Sequence, residues 1–135
     1  MSIDLPRIDN ELDVLSDLVP LDDQHIIELG CGSARLLRGV CERLRVPVEC
    51  RELADVVARE HGNIHRSADF SAPALVRLLE RCDALRKPER FAQVLLACEC
   101  DARGRLGLQD SPYPQRPRLL AALAAAQSVV TAVIA

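Results

Sequence analysis

The sequence predicts a mainly α-helical chain, a bundle-like array of helices with at most one or two short strands near the N-terminus. Three observations carry this. Apolar residues recur at helical spacing over most of the length. Prolines and glycines fall at the edges of those stripes, where helices start and stop. Just one segment, His25-Ile26-Ile27-Glu28-Leu29, reads as a strand, a short apolar run closed by Gly30-Cys31-Gly32. With 135 residues, 49% of them apolar and 27% charged, the chain suits one domain and can bury a core.

The elements follow in order. Ile8, Leu12, Leu15 and Val19 give a first helix, stopped by Pro20 and turned at Asp22-Asp23. After the strand and its glycine turn, Ser33 caps a helix with Leu36, Leu37, Val40, Cys41 and Leu44 on one face. Val46-Pro47 is a helix junction, and Glu49 supplies first-turn charge. Cys50, Leu53, Ala54 and Val57 form the next stripe, with Arg51, Glu52, Asp55 and Arg59 outside it and Gly62-Asn63 as its end. Ser71 and Pro73 open a helix that buries Leu75, Leu78, Leu79, Cys82 and Leu85. Pro88 and Glu89 open another, with Phe91, Val94, Leu95 and Cys98 inward and Gly104 as a left-handed cap. Asp110 to Pro117, with prolines at 112, 114 and 117, is a loop. Leu119, Leu120 and Leu123 begin a last helix pair, which stops at Ala135 without cap or polar tail, as if cut short of a natural neighbour.

The net charge of −3 argues against binding nucleic acid through bulk charge. That total conceals a break. Residues 1–38 carry three Arg against eight acids, whereas residues 39–135 carry fourteen basic residues against twelve acids. Phe70, Phe91 and Tyr113 are the whole aromatic complement, so stacking platforms for bases are scarce. The six cysteines (31, 41, 50, 82, 98 and 100) form no CxxC pair and sit within apolar patterns, which fits reduced, buried thiols in a cytoplasmic protein. No signal peptide is legible in the acidic N-terminus. Leu119–Ala135 is uncharged, but it is short and holds Gln127, Ser128 and Thr131, so no membrane span is expected.

Glu28-Leu29-Gly30-Cys31-Gly32-Ser33 is the site-like motif of the front. Glycines let backbone approach a ligand, and a helix N-terminus behind them favours polar or anionic groups. This stretch resembles the first motif of class I S-adenosylmethionine-dependent methyltransferases. The resemblance implies S-adenosylmethionine over Gly30 and Gly32, with Glu28 beside it. Such an enzyme needs a second acid on the ribose, about 20 residues on. Glu49 stands at that distance, but Pro47 and the helical stripe after it favour a first-turn role. No further strands follow to build the sheet.

From Gly39 onward the sequence resembles a different family. Gly39-Val40-Cys41-Glu42-Arg43-Leu44-Arg45-Val46-Pro47, Arg51 to His65, Asp83 to Phe91, Cys100-Asp101-Ala102-Arg103-Gly104-Arg105-Leu106-Gly107, Tyr113-Pro114-Gln115 and Ala126-Gln127-Ser128-Val129 carry the likeness. Together they look like the C-terminal helical part of the bacterial CCA-adding enzyme, the tRNA nucleotidyltransferase with an HD phosphohydrolase domain. The resemblance is collinear over 39–135. It implies tRNA as a partner. It also implies that CTP, ATP and Mg2+ belong to a catalytic head and the metal-holding His-Asp doublet to an upstream HD region. Neither is present here, and no Asp-x-Asp occurs in the chain.

Arg103-Gly104-Arg105 is the candidate RNA-binding element. Its guanidinium forks suit phosphates, while the same residues also suit a helix C-terminus, and the two roles can coexist. Arg86-Lys87, Arg90, Arg116 and Arg118 would extend a basic surface or form an ordinary solvated face. Asp101 reads as half of a local salt bridge. Cys98 and Cys100 point apart on a helix, so they do not chelate metal. His61 and His65 read as helix-end histidines rather than metal ligands.

The expectation is therefore a methyltransferase-like piece at 1–38 joined near Arg38–Gly39 to a CCA-type helical region at 39–135. Arg35 to Cys41 keep one helical phase across that seam. Such a hybrid would support an HD domain and hold tRNA while being inactive by itself. It would lack its upstream domains and tend to self-associate. The alternatives are an S-adenosylmethionine-dependent methyltransferase fragment and a fusion product without function.

Overall fold

A computed structural model of the chain describes residues 35–134, with side chains over 38–129. The expected first helix, the strand, the glycine turn with Glu28, Gly30 and Gly32, and the Ser33 cap lie outside the described residues. Among the described residues there is no strand, and about three quarters are α-helical, so the chain is mainly α. The helices are α1 (Arg35–Arg43), α2 (Val48–His65), α3 (Ala72–Arg81), α4 (Pro88–Arg103) and α5 (Gln115–Ile134), with a 3-10 turn at Ser67–Asp69. Compactness divides the chain between Ala58 and Arg59, within α2.

In the unit before that division, α1 runs through Arg38–Gly39 without interruption, as the shared helical phase predicts. Its exposed Arg38 pairs with Asp55 on α2, and Val40 and Cys41 are buried. The helix closes with Val46 N–H donating to Cys41 O (2.9 Å) and Arg45 N–H to Glu42 O (3.2 Å). This is the Schellman pattern, and it puts Arg45 in the left-handed region at φ 52°. Val46-Pro47 is the expected junction. Cys50 and Arg51 both donate to Pro47 O, and Glu49 lies in the first turn of α2.

Two features of α2 differ from expectation. Cys50 is exposed and Leu53, Ala54 and Val57 are only half-buried, while Val56, Glu60 and Ile64 are buried at successive i+4 steps. The inward face is set by Ile64, because the helix continues past Gly62-Asn63 to His65. Asn63 does not act as a stop because both ends of its amide are used along the helix. Its Nδ2 donates to Glu60 Oε2 (2.9 Å), and its Oδ1 accepts from Arg66 (2.9 Å).

In the unit from Arg59 onward, α3 starts at Ala72 behind Ser71 with Pro73 in its first turn. Leu78, Leu79 and Cys82 are buried as expected. Leu85 is exposed and Leu75 half-buried, because the helix stops at Arg81 and Asp83 turns left-handed (φ 54°), which brings Ala84 into the interior instead. The stripe Phe91, Val94, Leu95 and Cys98 of α4 is buried throughout. Helix α5 packs on α4 and α3 through a face that includes buried Leu119 and Leu123.

The expected loop Asp110–Pro117 is shorter than predicted, since α5 begins at Gln115. Pro117 sits in its first turn, where the missing N–H has no intrahelical partner to lose. The last segment is one helix rather than a pair, and among the described residues no helix is long and apolar enough to cross a membrane.

Candidate nucleic-acid interface

The connection from α4 to α5 carries the Arg103-Gly104-Arg105 element. Gly104 caps α4 with its N–H on Cys100 O (2.8 Å), but at φ −69° it is right-handed. The left-handed glycine is Gly107 (φ +83°), three residues later than the sequence suggests. Two further turns shape the loop, with Leu108 N–H on Arg105 O (3.0 Å) and Ser111 N–H on Leu108 O (3.0 Å).

The two arginines separate in role. Arg103 Nε donates to Ser111 O (3.1 Å), and its guanidinium meets Glu99 (3.1 Å), so it braces the loop from the last turn of α4. This is also where a cation meets the negative end of the helix dipole. Arg105 lies beyond the helix, is exposed, and has no internal ion pair or side-chain hydrogen bond among the described residues. It borders a cavity of about 320 Å3 lined also by His65, Leu108, Pro112, Tyr113 and Pro114.

His65 closes the base of this loop. Its Nδ1 lies 2.8 Å from the Tyr113 hydroxyl and its Nε2 2.9 Å from Asp101 Oδ2. A carboxylate only accepts, so Nε2 donates to Asp101, and in the neutral ring Nδ1 then accepts from Tyr113. Burial pushes the Tyr113 phenol upward, which keeps it a donor. Gln115 Nε2 donates to His65 O (3.0 Å). One residue at the end of α2 thus fixes Asp101 on α4 and the entry of α5. The partner of Asp101 is distant in sequence, a correction to the local salt bridge expected there.

His61 and His65 share a helix face, with ring centroids 6.0 Å apart, and His65 is the last residue of α2, as the helix-end reading has it. Both nitrogens of His65 are engaged. Among the described residues no three His, Cys, Asp or Glu side chains gather as a group that could hold a metal ion. Cys98 is buried and Cys100 exposed, so they diverge as expected.

The remaining basic positions are largely engaged internally. Arg86 forms a two-bond fork with Asp83 (2.7 and 2.7 Å), which lowers the carboxyl pKa. Arg90 donates to Cys82 O (2.9 Å) and Arg116 to Glu99 (2.7 Å). Arg118 reaches Ser67 O (2.5 Å) and Phe70 O (3.3 Å). They act as struts rather than as a continuous basic surface.

Sequence reasoning missed three features. Glu60, only 5% exposed, receives Arg81 Nε on both oxygens (3.1 and 3.2 Å). His65 and Tyr113 are 48 residues apart, beyond any local periodicity. Leu106 is fully exposed at the tip of the loop, and its place between two glycines was the one available signal.

No protein-family profile matches the chain, and no solved structure matches it. Relatives do. A multifunctional CCA protein of Paracidovorax citrulli is 80% identical over 103 residues, which is 76% of this chain and 25% of that protein. Its counterpart in an Acidovorax species is 78% identical over 103 residues, 24% of its length. That of Variovorax paradoxus is 74% identical over 103 residues, 25% of its length. The matched part is C-terminal, and the chain spans about a quarter of the length of these curated relatives. The methyltransferase likeness of 1–38 gains no support from these comparisons. By sequence, then, three quarters of this chain is a close relative of a C-terminal quarter of the multifunctional CCA proteins.

Proposed function

We propose that this chain is a hybrid relative of the tRNA CCA-adding enzymes, whose helical region contributes to holding tRNA and performs no catalysis by itself. The observation that carries this is the 80% identity over 103 residues to a multifunctional CCA protein. Those 103 residues are at least six more than 39–135 holds, so the match reaches into the front, and the foreign part is proposed to be shorter than 1–38. Arg105, exposed and unpaired among the described residues, is the best placed group for an RNA phosphate. Arg103 supports the loop and presents the exposed part of its guanidinium alongside. Nucleotide addition, with CTP, ATP and Mg2+, would belong to other parts of such enzymes, and the protein's place would be the cytoplasm.

The test is a gel shift of unmodified tRNA with the full chain at modest salt. Arg105→Ala is expected to weaken binding about threefold to tenfold and to reduce the salt slope by roughly one. Arg103→Ala is expected to act mainly by loosening the loop. The chain is expected to add no CMP or AMP to tRNA lacking its 3′ end. Absence of any shift, or a shift that both substitutions leave unchanged, would overturn the RNA-holding role.

A further inference from the structure

Single exposed leucines are ordinary. The surroundings of Leu106 are less so. It is fully exposed at a loop tip, next to Arg105, which has no side-chain partner among the described residues. Beside that tip opens a cavity of about 320 Å3, walled by Leu108, Pro112, Pro114, Tyr113 and His65. The walls are rings and aliphatic groups, which accept a flat heteroaromatic face better than a flexible polar chain. Glu99 is paired with Arg103 and Arg116, and Asp101 accepts a hydrogen bond from His65, so neither engages Arg105. Arg105 has no ion pair among the described residues and is left to face an incoming anion. The loop is also held before any ligand arrives, at its base by Tyr113–His65–Asp101 and across its middle by Arg103 on Ser111 O. Such preorganisation lowers the ordering cost of binding.

Resting on the RNA-binding reading above, we propose that the Arg105-Leu106 tip and this cavity form a subsite for one unpaired nucleotide of an RNA. Arg105 takes the phosphate, Leu106 lies against the exposed face of the base, and the base enters the cavity beside Tyr113 and Pro112. A duplex keeps its bases stacked and offers only phosphates, so the subsite discriminates unpaired from paired RNA.

The full chain is titrated, by fluorescence anisotropy, into a fluorescein-labelled RNA hairpin with an unpaired loop and into a blunt RNA duplex of equal length. AMP serves as a free-nucleotide competitor, and thermal melting of each variant checks its fold. The hairpin is expected to bind about threefold to tenfold tighter than the duplex. Leu106→Ala is expected to erase that preference while leaving duplex binding unchanged, and Arg105→Ala to weaken both. Equal binding of hairpin and duplex, untouched by Leu106→Ala, overturns the subsite but leaves the RNA-holding role standing. No binding of either RNA overturns both. Full displacement by AMP at concentrations near the hairpin Kd makes the ligand a free nucleotide and overturns the assignment to RNA. So does self-association in sedimentation that Leu106→Ala abolishes while the hairpin preference persists, since the tip is then a contact between copies.

Discussion

Arg45 and Asp83 occupy the left-handed backbone region at the ends of α1 and α3, at φ 52° and 54°. Each sits where a Schellman cap usually places glycine, because its own N–H and that of the next residue both turn back onto helix carbonyls. A side chain there costs about 1 kcal/mol. Arg45→Gly is therefore expected to raise stability by about 1 kcal/mol, read as a shift of the urea midpoint without a change in slope. Asp83 is a poorer place for that change, since its carboxylate also holds Arg86. The Glu60–Arg81 pair points the other way. Glu60 is buried and Arg81 half-exposed, so removing the arginine leaves a carboxylate without its main partner. Arg81→Leu is expected to cost roughly 3 kcal/mol and Glu60→Gln less. The double substitution is expected to recover part of the loss, a coupling that a double-mutant cycle measures.

At the scale of the element, α2 and α5 show how a local signal is overruled. Gly62 and Asn63 carry the composition of a helix end, yet α2 passes through them because Asn63 bonds to Glu60 and Arg66 along the helix. Nothing lies within 4 Å of where a Cβ on Gly62 would stand. Gly62→Ala is therefore expected to stabilise the chain by about 0.5–1 kcal/mol through helix propensity, visible as a raised Tm. If the Tm fell instead, the helical conformation at Gly62 would be wrong. In α5 three prolines before Leu119 read as one loop, but only the last lies within the helix, at a position that tolerates it. Helix α4 follows its periodicity without exception, since Phe91, Val94, Leu95 and Cys98 are all completely buried.

For the whole molecule, buried thiols set an alkaline limit. Burial pushes Cys82 and Cys98 up to about 12, and it raises Cys41 as well. A group whose folded pKa is raised stabilises fully below its unfolded value and loses that contribution as pH rises towards the folded one. Stability is therefore expected to hold up to about pH 9 and to fall between about 9 and 12. Urea midpoints measured across that range check it. Cys82→Ala with Cys98→Ala is expected to flatten the decline while lowering the starting stability through the cavities left behind.

The sequence by itself determined the helical class, the junction at Val46-Pro47, the inward face of α4 and the kinship with the multifunctional CCA proteins. These are legible because helix periodicity, proline chemistry and residue identity are written locally along the chain. Only the tertiary structure decided which arginine is left for a ligand. Arg103 and Arg105 look equivalent in the sequence, as do Arg86, Arg90, Arg116 and Arg118. Their difference lies in partners that folding brings near: Ser111 and Glu99 for Arg103, the Ser67 and Phe70 carbonyls for Arg118, and none among the described residues for Arg105. The bond of His65 to Tyr113 is likewise a product of packing between segments far apart in sequence. A guanidinium is committed or left available by the carbonyls and carboxylates within about 3 Å of it, and spacing along the chain does not encode that distance.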